Sequence, residues 1–129
     1  MVNLGSLSII VMPFLLLAAC SNGSGSGNRE LSNDEKETAT VFEEKNSIQC
    51  GPSGLSIEES AQRLVDTGID VIQSDCAYNN LITVISLCGT RTSEILVHKI
   101  PVQNVADAEG DGFTNTNEID NDYSVYECS

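Results

Sequence analysis

Three regimes of hydrophobic and polar patterning divide the chain. From Leu4 to Ala19 it is almost wholly apolar and carries no charged side chain. A run of that length falls short of the ~20 residues that span a bilayer and closes on small residues, which predicts a cleavable export signal over 1–19. Ser21 to Asn28 then alternates Ser, Gly and Asn, and Arg29 to Thr40 adds mixed charges with almost no apolar residue. Such a composition buries too little surface to fold, so 20–40 reads as a flexible tether. From Val41 the pattern changes again, and 41–129 reads as one small domain.

Within that domain a weak apolar segment leads from Val41 to Cys50, and Cys50-Gly51-Pro52-Ser53-Gly54 marks a turn. Ser56 and Glu59 have capping-box spacing, and Ile57, Ala61, Leu64 and Val65 recur at helical intervals, which predicts a helix closed by Gly68. Glu58 and Glu59 then complement the positive end of its dipole, a better account of them than a catalytic carboxylate pair. Ile69 to Ser74 reads as a strand and Ala77 to Asn80 as a turn. Leu81 to Cys88, apolar on both faces, has the pattern of a central strand. Glu94 to Ile100 is a further strand stopped by Pro101, and Tyr123 to Cys128 is a short alternating one. The sum is an α+β fold: a small disulfide-stabilised domain with one or two helices on a four- to five-stranded sheet.

Charge narrows the partners. Asp and Glu number 19 against 6 Lys and Arg, a net charge of −13, which argues against binding a phosphate backbone, so nucleic acid is not expected. A basic protein is the partner such a surface would attract. Aromatics make up 5% of the chain and Trp is absent, so the core must be aliphatic.

Four cysteines, Cys50, Cys76, Cys88 and Cys128, lie well downstream of the signal and predict two disulfides in an oxidising compartment. Three pairings are possible. If Cys50 and Cys76 end two strands joined by the helix, they share a sheet edge, which favours Cys50 with Cys76 and Cys88 with Cys128. No two of the four have metal-knuckle spacing. The single histidine, His98, reads as a hydrogen-bonded surface or edge-strand residue. With no nucleophile elbow, free Cys–His pair or two-histidine motif in the chain, catalysis is not expected.

The signal ends in Leu17-Ala18-Ala19-Cys20, which resembles the lipobox of bacterial lipoproteins. The resemblance implies that the Cys20 thiol receives a diacylglycerol, that cleavage falls before it, and that the new amine is acylated, so the chain is held to a membrane by its lipid. Ser21 stands where an Asp would signal inner-membrane retention, which implies the outer membrane. The Lys or Arg that usually precedes the apolar run is missing.

A second resemblance lies near the C-terminus. Asp107-Ala-Glu109-Gly-Asp111-Gly112-Phe113-Thr-Asn115-Thr-Asn-Glu118 is similar to the twelve-residue loop of an EF-hand and to related calcium loops of dockerin-like repeats. It implies calcium held by the carboxylates of Asp107, Glu109 and Asp111, the carbonyl of Phe113, an oxygen of Asn115 and both oxygens of Glu118, with Gly112 at the sharp turn. Position 3 is Glu where Asp or Asn is usual, and position 8 is Thr114 where an aliphatic residue is usual.

The same stretch admits a plainer reading, in which Pro101 starts a short helix with Val102, Val105 and Ala106 inward, Gly110 caps it, and the carboxylates are solvated. The order of segments from Cys50 to Phe113 also looks similar to small exported proteobacterial proteins of unknown function, which puts Ala108, Gly112 and Phe113 in structural roles. The function expected is a lipid-anchored, non-catalytic binding or structural module of the envelope. The alternatives are a calcium-binding module and an inhibitor of a basic envelope enzyme.

Overall fold

A computed structural model describes residues 36–129. The signal read over 1–19, Cys20 and most of the tether lie outside the described residues. Five strands and two helices follow one another in the order β1 (Thr38–Glu44), α1 (Ile57–Asp66), β2 (Gln73–Asn79), β3 (Glu94–Pro101), α2 (Val105–Gly110), β4 (Thr114–Asn115) and β5 (Tyr123–Tyr126). Single 3-10 turns cover Val102–Asn104 and Thr116–Ile119. The strands form one antiparallel sheet in the order β4-β1-β3-β2-β5. This is an α+β domain with two helices on a five-stranded sheet. The first strand begins at Thr38, inside the stretch read as tether.

The helix α1 forms where its sequence places it. Ser56 Oγ accepts from the Glu59 amide and the Glu59 carboxylate accepts from the Ser56 amide, which satisfies two free helix donors reciprocally. Its hydrogen-bonded acid is held below the usual carboxylate range by the Ser56 backbone and hydroxyl. At the other end Gly68 takes φ +87° and lets the chain turn back. Leu64 is thereby brought beside Ile69, and the two join Val41, Ile100, Ala108 and Phe113 in the core between the sheet and the helices.

The opposite face of the sheet carries a second cluster of Phe42, Ala77, Ile95, Val97 and Ile119, with Tyr123 packed against it. The strand β3 is third of the five, and its Ile95, Leu96, Val97, His98 and Ile100 are all buried. It, and not Leu81 to Cys88, is the central strand. Both edges of β2 are occupied, by β3 and β5, and both edges of β1, by β3 and β4. The apolar run from Leu81 to Cys88 pairs with none of these strands and is a loop. The strand expected over Ile69 to Ser74 is displaced as well: β2 starts at Gln73 and runs through the Ala77 to Asn79 segment read as a turn, because Cys76 and Ala77 are buried against β3.

The disulfides join Cys50 to Cys88 and Cys76 to Cys128. This corrects the favoured pairing. Cys50 and Cys76 do not share a sheet edge, since β3 lies between β1 and β2: Cys76 lies inside β2 opposite Tyr126 of β5, so Cys128 just beyond β5 reaches it, with Cα atoms 5.4 Å apart. Cys50 follows β1, and a bridge between Ile48 and Arg91 continues the β1–β3 pairing beyond the strands, bringing Cys88 to 5.1 Å from it.

Candidate functional site

Three groupings of polar or apolar side chains could carry a function. The first is buried. His98 projects from β3 toward α1 and is 0% exposed, which corrects its expected place on a surface or edge strand. Its Nε2 lies 2.7 Å from Ser60 Oγ and its Nδ1 2.7 Å from Ser74 Oγ. Ser60 donates to Glu43 Oε1 at 2.5 Å, and Arg63 donates to the other oxygen of the same carboxylate at 2.5 Å. A hydroxyl has one proton. Ser60, having given it to Glu43, accepts from His98 Nε2–H, so Nδ1 is bare and accepts from Ser74. Burial lowers the His98 pKa to about 4, against a smaller opposing attraction from Asp75. The result is a fully satisfied neutral imidazole, edge-on to Phe113 at 5.8 Å between ring centres. A serine and a histidine do meet here, but Ser60 is 0% exposed and its proton is committed.

The second grouping holds the residues of the EF-hand-like stretch, which the structure spreads over several elements. Asp107 and Glu109 are exposed on α2, and Asp111 caps that helix. Phe113 is buried in the core with Arg63 5.1 Å above its ring. Asn115 Oδ1 accepts from the Asn117 amide and so caps the 3-10 turn on which Glu118 is exposed. Asp111 Oδ2 is buried without a hydrogen-bond partner, 4.0 Å from Arg63. Among the described residues no three His, Cys, Asp or Glu side chains are placed to hold a metal ion.

The short helix after Pro101 is present, with Val105 and Ala108 inward where Val102 and Ala106 share the exposed side. Asp111 and Gly112, not Gly110, close it, Gly112 with φ +96°.

The third grouping is the loop between β2 and β3, which no local signal in the sequence marks as a loop. Leu81, Ile82, Val84, Ile85 and Leu87 are all exposed, with Leu81 at 54%, Ile85 at 61% and Leu87 at 59%. Its base is held firmly. Cys88 is bonded to Cys50, Gln49 Nε2 donates to the Ile85 carbonyl at 2.7 Å, and Thr90 Oγ1 donates to the Leu87 carbonyl at 2.7 Å.

Beside the loop base, Ser47, Thr92, Tyr126 and Lys45 converge on the Glu94 carboxylate. Burial alone would raise its pKa, but the three hydroxyl donors and the Lys45 charge outweigh that and hold it at about 2. The same carboxylate raises the Tyr126 phenol, after burial, well above its ordinary range. Residues from β1's end, β3 and β5 are thus drawn together at the end of the sheet where the loop leaves it.

No family model matches this chain, and no curated protein or solved structure matches it. No helix among the described residues is long and apolar enough to cross a membrane.

Proposed function

We propose that the chain is a lipid-anchored protein of the cell envelope, held on the outer membrane through Cys20, whose domain is a non-catalytic binding or structural module with an acidic surface. The observation that carries this reading is the pair of disulfides at Cys50–Cys88 and Cys76–Cys128, which belong to an oxidising compartment beyond the cytosol. The lipobox-like Leu17 to Cys20 supplies the route there and the anchor. Burial of the Ser60–His98 pair supports a role without catalysis, since a substrate cannot reach the serine. Growth with labelled palmitate tests the anchor: the wild-type chain should be labelled and Cys20→Ser should accumulate as unprocessed precursor. An unlabelled, soluble exported product would overturn it.

Calcium binding by Asp107 to Glu118 is a second reading, favoured by the buried Asp111 Oδ2 that accepts no hydrogen bond. Single sites of this type bind in the range of about 10⁻⁴ to 10⁻³ M. Millimolar calcium should then raise the melting temperature more than magnesium does, and Glu118→Gln should remove most of the difference. Equal shifts by the two ions would leave the carboxylates as a solvated surface.

A further inference from the structure

The β2–β3 loop departs from the acidic character of the molecule. From Asn80 to Ser93 there is no Asp or Glu, and the only charge is Arg91, in a chain of net charge −13. Arg91 is itself paired with Glu44 at 3.1 Å. Five of the seven residues from Leu81 to Leu87 are aliphatic, and together they expose on the order of 400 Å² of apolar surface, the size at which a patch on a monomer marks an interaction site. Leaving these side chains in water is unfavourable, yet a disulfide and side-chain hydrogen bonds hold the loop in place, so it is organised before any partner arrives.

We infer that this loop is a self-association surface, on which the Leu81 to Leu87 segments of two copies of the chain meet across a two-fold axis. The charge distribution selects the occupant. A basic protein would be drawn to the carboxylates found elsewhere on the domain and not to a loop that has none. Two copies of this chain repel one another across their acidic surfaces, and this carboxylate-free loop, with the uncharged Gln49 to Leu55 turn bonded to it through Cys50–Cys88, is where they can touch with little repulsion.

A lipid surface fits less well. The loop carries no Trp, Tyr or Lys to sit at a bilayer interface. It also leaves the sheet beside the Glu44 and Glu94 carboxylates, which an anionic lipid surface would repel.

The chemistry of the segment suits a strand-like contact. Its residues are β-branched or leucine apart from Ser86, and within the described residues the amides of Thr83 to Ser86 donate to no protein acceptor. A two-fold contact uses the same patch on both copies, on the order of 800 Å² in all, which is the scale of a weak, transient dimer. Copies tethered to one membrane meet at high effective concentration, so weak pairing suffices there.

This inference rests on the domain being a binding module, to which the lipid anchor adds effective concentration. The full exported chain, carrying a photo-crosslinking residue at Ile85 and expressed in two differently tagged versions, tests it in cells. An adduct of doubled mass containing both tags is expected, absent when the probe replaces Glu58 on α1. The adduct should disappear in Val84→Asp with Leu87→Asp, exposed changes that leave both disulfides formed. In washed envelopes its yield should rise with salt, because screening relieves the repulsion between acidic copies. Adducts to lipid, or none at all from correctly disulfide-bonded protein, would overturn the inference. An adduct to a different protein would overturn the self-association while leaving the binding-module reading in place, and a loss of palmitate labelling at Cys20 would overturn the anchor alone.

Discussion

The strand β3 and the loop before it are built from similar material and meet opposite ends. Ile95-Leu-Val-His-Lys-Ile100 and Leu81-Ile-Thr-Val-Ile-Ser-Leu87 are both short, aliphatic and rich in β-branched residues. The first is buried on both faces between two paired strands, whereas the second is exposed along its length. The less hydrophobic of the two holds the centre, since β3 carries a histidine and a lysine and the loop carries only Thr83 and Ser86 among its aliphatics. What decides between them is the availability of partners. The imidazole of His98 finds two hydroxyls, one from α1 and one from β2, and Lys99 points to the more open side of the sheet, so neither polar residue opposes burial of the strand. The loop pairs with no strand of the sheet.

Removing the tie that holds the loop gives the largest expected effect. Cys50→Ala with Cys88→Ala releases a closed segment of 38 residues, which the chain-entropy model values at about 4 kcal/mol. Urea unfolding measures it. A cost below about 1 kcal/mol would mean that the hydrogen bonds at the loop base hold it without the disulfide.

Truncation inside each region sharpens the contrast. Leu96→Ala, at a fully buried position of β3, should cost about 3 kcal/mol through lost burial and a cavity. Leu87→Ala, more than half exposed, should change stability by no more than about 0.5 kcal/mol. Similar losses at both positions would show that the loop is packed in the free protein.

A pH-dependent effect tests the burial of His98. Its pKa falls from 6.5 to about 4 on folding, so between those values the unfolded chain binds more protons and acid favours unfolding. Stability contributed by the neutral ring is full above pH 6.5, falls by about 2 kcal/mol at pH 5, and stops falling below about pH 4. Glu94 extends the acid loss lower, since its folded pKa of about 2 lies under the unfolded 4.5 and its contribution fades as pH drops between them. Ring proton shifts of His98 followed by NMR should show no titration above about pH 5. A midpoint near 6.5 would place the ring in water.

Local chemistry alone was enough for α1 with its capping box, the turn at Gly68, β3, β5, the short helix after Pro101 and the presence of two disulfides, because each depends on residues within one or two turns of chain or on a simple count. Of the groupings that could carry function, only the Asp107 to Glu118 stretch was visible beforehand, as a spacing of oxygen donors. The hydrogen-bonded cluster at His98 was not, since its bonded pairs Glu43–Ser60, Ser74–His98 and Ser60–His98 are 17 to 38 residues apart and meet only when α1 packs on the sheet. The tertiary structure also decided which cysteines pair and which of two apolar runs is central. Both depend on how many sheet edges exist and which strands occupy them. A residue pattern records that a segment can be a strand, while the edge it needs is supplied by segments elsewhere in the chain, and here β5, locked through Cys76–Cys128, took the last edge of β2.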